Sequence, residues 1–519
     1  MNLPKKITII LVTLTFISLL TNRVNLYSNL TTIEMLINSE NQTEKNLKSS
    51  GFWNLTGTPI FIDGDWTGIG AHNWTWFENQ TWYGGGNGTL ENPYIIENIT
   101  IDGQGLGNCI EIRDSNDYFI IRNCTLSNSG PDLDENGGIK LMFVNNGKLI
   151  KNNCSNNKGN GILLKSGKNN NISGNIINNN TSYGLKTSIG ENHIITLNNI
   201  SNNNDGIYLA NNPGTNIIAY NSIYNNYNNG IRLVFTRRNN ILNNKIYNND
   251  KSGILITEGL EDFLYNNEIY NNDYSGVEMD SCSGIMTSKN NISRNEYGIH
   301  LEDKGYNQFF ENNISSNIDT GILLMNSEIN NITNNNIIDN AIGIYLENSN
   351  YTDIMENKIN NNTKYGLYLV KSNYNYVYDN DVCDNFVALE EEECEGNKFK
   401  NNKCIDKNGF PPEIVMIIVI SIAGAMVAVG LYVFRKRSSR EKLISRTTLS
   451  SQELEELRKT EAEVSVEKEY HTCVVHRGKI VGAVYICPKC ETYYCMKCAT
   501  VLKKKGETCW SCNNKIELE

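Results

Sequence analysis

Basic residues are scarce: 46 Lys and Arg stand against 57 Asp and Glu in 519 residues, a formal net charge of −11. That balance gives no general attraction to nucleic acid and excludes it as a partner class. Histidine is scarcer still. Only His72, His193 and His300 precede residue 410. They lie far apart, with no Met/His cluster to hold copper. Long apolar runs are missing except for two, so the chain is not a polytopic membrane protein. It is also too long for one ordinary domain.

The two runs set the expected topology. Lys5 and Lys6 precede an apolar stretch from Ile7 to Leu20. It is short for a span and suits the core of a secretory signal. No A-x-A cleavage site follows, so residues 1–25 read as a signal peptide or a signal anchor. The second run, Ile414 to Phe434, carries no charge and is long enough for one bilayer crossing. Pro411 and Pro412 precede it, and Arg435, Lys436, Arg437, Arg440 and Lys442 follow. Basic residues stay cytoplasmic. The expectation is a single-pass cell-membrane protein with a transmembrane helix over 412–434 in lipid, its N-terminal region outside and its C terminus inside. Sequons beginning at Asn54, Asn98, Asn291 and Asn313 all precede the span, as expected of a glycoprotein.

Between the runs lies a repeat. A quartet Gly-Ile-x-Leu, or close to it, places Gly at 138, 161, 184, 206, 230, 253, 276, 298, 321, 343 and 366. Steps of 22 to 24 residues mark a solenoid. Each period holds three short β-like pieces separated by Asn, as in Gly-Ile-Tyr-Leu, Asn-Ile-Ile-Ala-Tyr and Asn-Ser-Ile-Tyr from Gly206 onward. The Ile and Leu of a quartet lie two apart, hence on one inward strand face. Leucine-rich repeats are excluded, because neither their consensus nor a helical half is present. The spacing predicts an all-β, right-handed parallel β-helix, a rod on the order of 60 Å long at ~4.8 Å per coil. Asn and Gly are expected at corners that need left-handed backbone, with Asn amides stacking from coil to coil. Residues 26–88, rich in Trp, are expected to form an N-terminal segment and cap, and 89–405 the β-helix. A disulfide among Cys383, Cys394 and Cys404 is a candidate pin for the far end, with the pair left open.

The stretch Gly88-Thr-Leu-Glu-Asn-Pro-Tyr-Ile-Ile-Glu-Asn-Ile-Thr-Ile-Asp-Gly-Gln-Gly105, with the coils after it, resembles the right-handed β-helix family that includes NosD-like periplasmic proteins. It looks most like archaeal surface members. The resemblance implies the fold and leaves function open, since the fold hosts lyases, hydrolases, epimerases and scaffolds. No catalytic signature of pectin hydrolases or lyases is present, and no catalytic or cofactor-binding residue is assigned. His300, Glu302 and Asp303 share one coil, and Arg237 and Arg238 another. All five are expected to be solvated outward side chains. Tyr224, Tyr247 and Tyr270 recur once per coil, as do Tyr345 and Tyr368, and form the candidate ligand surface for a glycan or protein.

After a charged linker, 435–469, the tail carries the strongest chemical motif. Cys473-x2-His476, Cys487-x2-Cys490, Cys495-x2-Cys498 and Cys509-x2-Cys512 supply ligands for two tetrahedral zinc ions. His471 is a rival to His476. Closed shells of four ligands are structural rather than catalytic. Residues 470–519 resemble small treble-clef or cross-brace zinc domains, B-box-like in the first three pairs and RING-like in the last. The resemblance implies that Cys473, His476, Cys495 and Cys498 share one zinc and Cys487, Cys490, Cys509 and Cys512 the other. The His departs from the usual RING order, which puts ubiquitin-ligase activity in doubt.

The resulting expectation is an adhesin or receptor-like surface protein that binds glycan or protein outside, with a zinc domain docking a cytoplasmic partner. The reading leans away from an enzyme. The alternatives are a polysaccharide-acting lyase, hydrolase or epimerase, and a membrane-anchored ubiquitin-ligase-like adaptor.

Overall fold

The computed structural model describes residues 52–132, 135–212 and 214–405, together with scattered residues between 484 and 512. The chain divides into two units, 1–407 and 408–519. Among the described residues no helix is long and apolar enough to cross a membrane. The expected signal, transmembrane and linker segments, 1–25, 412–434 and 435–469, lie outside them.

Residues 53–400 wind into a β-helix of three all-parallel sheets with 14, 14 and 13 strands. In the coil that begins at Gly206, the chain passes through Ile207–Ala210 in the quartet sheet. It then runs through Ile217–Ala219 in the second sheet and Ser222–Tyr224 in the third. Each strand pairs with the equivalent strand one coil on, so Ile207 meets Ile231 and Leu209 meets Leu233. The period-2 alternation puts Ile207 and Leu209 in the core, joined by Ile218 and Ile223 from the other sheets, all fully buried. The same stack runs through the whole unit as one continuous core.

The corners show what the asparagines do. At the corner after the third sheet two Asn are adjacent: the first carries a positive φ (Asn202 55°, Asn225 55°, Asn248 56°) and the second is buried. The buried member forms a ladder. Asn203 Nδ2 donates to Asn226 Oδ1 at 3.1 Å, Asn226 to Asn249 at 2.9 Å and Asn249 to Asn272 at 2.9 Å. Each backbone N–H donates to the same oxygen. A second ladder joins Asn198, Asn221, Asn244 and Asn267 at the corner between the second and third sheets. There the positive-φ residue before each Asn is variable: Leu197, Tyr220, Asn243 and Asn266. The buried amide, more than tolerance of left-handed backbone, is therefore the reason for the Asn repeat.

The quartet glycines differ from expectation in cause. Gly206, Gly230 and Gly253 are not among the residues of positive φ. They are required because a Cβ on Gly206 would lie 2.5 Å from the Gly230 carbonyl, 2.6 Å from Ile223 Cγ2 and 2.9 Å from Asn226 Nδ2. Close packing against the ladder, not a left-handed corner, selects Gly here.

The ends also differ from the expected bounds. Trp53–Asn54 and Ile60–Asp63 already pair with the next coil, so coils begin before residue 89. The cap is an insertion in that first coil. It carries helix α1, Trp74–Glu78, N-capped by Asn73, and an aromatic cluster in which Trp74 stacks on Tyr94 at 4.5 Å. At the far end, Val387–Glu392 and Lys398–Lys400 still pair in register although the sequence quartet has faded. Cys383 and Cys404 form the disulfide that closes this end, and Cys394 stays free.

Candidate functional site

The x of Gly-Ile-x-Leu faces outward from the quartet sheet. Successive coils align Lys186, Tyr208, Arg232, Leu255, Glu278 and His300 in one row. Leu323, Tyr345 and Tyr368 continue it. Two places on this row are more than solvated strand surface.

The first is at His300. Its ring is only 7 % exposed because Tyr274 and Tyr297 cover it, with ring centres 6.0 and 5.5 Å away. Nδ1 lies 3.3 Å from the Tyr274 hydroxyl, and Nε2 is buried without a hydrogen-bond partner. Beside it Glu278 accepts a hydrogen bond from Ser252 Oγ at 2.5 Å. Burial pushes the His300 pKa down, so the ring favours its neutral form. Burial pushes the Glu278 carboxyl up, with the Asp280 and Glu302 charges adding to it. The Tyr274 phenol is pushed up to about 12, again first by burial. An apolar-walled imidazole and a carboxyl of raised pKa on adjacent coils can hold or move a proton for a bound ligand.

The second is three to five coils nearer the N terminus. Tyr208 lies between Lys186 and Arg232, whose Nζ and Cζ stand 6.0 and 5.4 Å from its ring centre. Tyr183 stacks on Tyr208 at 4.6 Å. Asp205 is 1 % exposed and its Oδ1 accepts from Asn229 N and Nδ2 at 2.8 and 3.0 Å.

The expected ligand tyrosines fall on two faces. Tyr345 and Tyr368 belong to the row above, whereas Tyr224, Tyr247 and Tyr270 stand on the third sheet. The latter stack on one another at 5.0 and 5.2 Å, nearly parallel, so the ring faces inside that ladder are occupied by each other. All five are half-buried. Tyr345 and Tyr368 donate to Glu347 and Glu392 at 3.0 and 2.8 Å.

In the tail, Val484–Ile486 and Tyr493–Cys495 form an antiparallel hairpin, and Cys487 and Cys490 sit in its turn. The Cys487, Cys490, Cys509 and Cys512 sulfurs all lie within 4.8 Å of one another. Cys487–Cys512 is 3.7 Å and Cys490–Cys509 3.6 Å. A tetrahedral zinc with Zn–S of ~2.3 Å needs sulfurs ~3.8 Å apart, so this donor set fits the ion. The Tyr494 hydroxyl donates to Cys509 Sγ at 3.1 Å, a hydrogen bond that would steady a thiolate ligand. The grouping is the one expected for the second zinc. Cys473, His476 and Cys498 lie outside the described residues, as does the Cys495 side chain.

A family model for the right handed beta helix region matches residues 60–214, 183–262, 241–382 and 308–411, more than half of the chain. The chain belongs to the right-handed β-helix family. Among solved structures, this β-helix protein is similar to the A-module of mannuronan C-5 epimerase AlgE6 from Azotobacter vinelandii. That match has 14 % identity, covers 60 % of this chain and 90 % of the other, and has a TM-score of 0.43. A double mutant of the periplasmic alginate epimerase AlgG matches with 16 % identity, 60 % and 86 % coverage and a TM-score of 0.41. The receptor binding domain of the siphovirus 9NA tailspike matches with 10 % identity, 71 % and 79 % coverage and a TM-score of 0.43. No curated protein matches.

Against expectation, His300 is not solvated, because the corner tyrosines fold over it. Glu302, Asp303, Arg237 and Arg238 are exposed as expected, Arg238 pairing with Glu261 at 2.6 Å. Sequence reasoning passed over Tyr208, Arg232, Tyr274, Glu278 and Asp205. Reading the x column of this β-helix down the repeat, with the residue before each Gly, collects four of the five.

Proposed function

We propose that this protein is a membrane-anchored surface β-helix that binds glycan along the outer face of its quartet sheet, with a zinc-stabilised tail domain docking a partner inside the cell. The observation that carries the ligand reading is His300. A buried imidazole nitrogen without a partner costs free energy unless something completes it. Tyrosines around and along the row supply flat apolar area with polar edges, suited to sugar rings.

The cysteines support the topology. The disulfide Cys383–Cys404 belongs before residues 414–434 and the thiol-rich ligand set after them. Disulfides persist in oxidising surroundings and free zinc thiolates in reducing ones, which suits opposite sides of a membrane. The test is a glycan array probed with the full chain in detergent micelles, wild type beside H300Q and Y274F. Specific glycan signal, weakened at least tenfold in H300Q, is the expected result. A Tyr224, Tyr247 and Tyr270 triple replacement by Ser separates the third-sheet ladder from this row. Full retention of binding would remove that ladder from the ligand surface.

The pairing of Tyr274, Glu278 and His300 favours a second reading, turnover of the bound glycan. Cleavage products or changed sugar configuration, followed by NMR over a day with each array hit, decide it. Unchanged glycan leaves binding alone.

A further inference from the structure

The third sheet, away from the quartet face, sets acceptor asparagines beside its stacked tyrosines. We infer that Asn199 and Asn291 carry N-linked glycans, and that these glycans rest on the two ends of the Tyr224, Tyr247 and Tyr270 stack. This rests on the surface reading above, which puts the rod outside the cell, and adds what covers its third sheet.

N-glycosylation of exported chains takes Asn-X-Ser/Thr. On a strand, residues two apart face the same side, so amide and hydroxyl of the sequon lie on one face. Asn199–Ser201 and Asn291–Ser293 are both third-sheet strands with Ile at the centre. In each the Ile is fully buried and the Asn exposed. Not every sequon has such room. Asn171 is 8 % exposed, and Asn180 is 2 % exposed and donates to Asn203 in the corner ladder. Asn313 is exposed, but its Nδ2 donates to Asn291 Oδ1 at 2.9 Å, which leaves Asn291 Nδ2 for the sugar. Among the described residues no sequon begins within a quartet-sheet strand, so that face stays bare.

The two sequons bracket the tyrosines. In register, Ser201 precedes Tyr224, Tyr247 and Tyr270 follow, and Ser293 comes next. Three rings stacked at 5.0 and 5.2 Å leave two outer faces, one at each end. Serine is too small to cover either. Each acceptor Asn stands one coil and two residues from its end ring, about 5 Å across and ~7 Å along the strand. A sugar joined there meets an aromatic face, with exposed Lys245 and Glu268 beside it for the hydroxyls. In the transfer, Asn Nδ2 attacks the anomeric carbon of a lipid-phosphate-linked oligosaccharide. The N–C bond forms, the C–O bond to phosphate breaks, the phosphate leaves with the electron pair and the amide gives up one proton.

The test expresses the full chain in cultured animal cells whose N-glycans are kept high-mannose. Glycopeptide mass spectrometry reads each site. A membrane-impermeant amine reagent on intact cells reports whether the rod is outside. Glycan at Asn199 and Asn291, and none at Asn171 or Asn180, is the expected result. Endoglycosidase release from the native protein in detergent micelles is then timed for wild type, Y224S and Y270S, with matched thermal midpoints. Y224S should quicken release at Asn199 at least threefold and leave Asn291 unchanged, and Y270S should do the reverse. Bare Asn199 and Asn291 on a rod that labels from outside, or release rates unchanged in both variants, overturns the inference and leaves the surface reading. A rod that neither labels nor carries glycan overturns both.

Discussion

Replacing Asp262 by Asn tests the corner-ladder reasoning at a single atom. Asp262 occupies the third corner, where the column from Asn216 runs through Asn239, whose N–H and Nδ2 both donate to Asp262 Oδ1 at 2.7 and 2.9 Å. Its other oxygen accepts from Thr236 Oγ1 at 2.9 Å. The residue is fully buried, and burial outweighs those three hydrogen bonds, raising its pKa from 3.8 to about 6. A raised carboxyl pKa means that the fold prefers the protonated form. Its contribution to stability is complete below 3.8 and is lost as pH rises through about 6. Above that, the buried charge costs about 3 kcal/mol. Asn keeps the oxygen that Asn239 needs and carries no charge. D262N should therefore match wild type near pH 4 and exceed it by about 3 kcal/mol above pH 7. Solenoids open coil by coil, so the assay is amide hydrogen exchange of residues 216–262 across this pH range rather than one global midpoint. All other titrating groups are common to both proteins and cancel. A D262N gain that does not grow with pH, or a loss at pH 7.5, would refute the assignment of a raised pKa to this ladder carboxyl.

N249A removes the oxygen that Asn226 uses twice and leaves two buried donors unpaired, for a loss of about 2–4 kcal/mol, whereas N248A at the exposed positive-φ position costs only about 1 kcal/mol. Thermal shift of the pair measures the difference. C404S, or reduction of the wild type, should cost about 3 kcal/mol for a crosslink separation of 21 residues, and exchange should quicken only in the last coils. Metal analysis of the full chain should find two zinc ions; C509S should hold one, as should C473S, and the double variant none.

The coil and its inward Ile and Leu were legible because a strand alternates strictly and the quartet never loses phase. The grouping of Cys487, Cys490, Cys509 and Cys512 was legible because x2 pairs have few other uses. Gly206 and its equivalents were legible as a signal but not as a cause, since close approach of Ile223 and Asn226 depends on the neighbouring coil. The same holds for Asp205 and His300. Their burial comes from residues one coil away, Asn229 for one and Tyr274 for the other, and a strand periodicity read alone makes outward side chains look solvated.

The third corner differs from its two companions in one respect that bears on mechanics. Its column reaches Asp262, meets Ile285, which has no polar side chain, and resumes where Ile285 N–H donates to Asn307. Loaded end to end, a stack parts where fewest bonds tie one turn to the next. In this column the missing bond falls between the coil that holds Asp262 and the coil that holds Glu278, so at this corner an axial load meets the fewest side-chain bonds there.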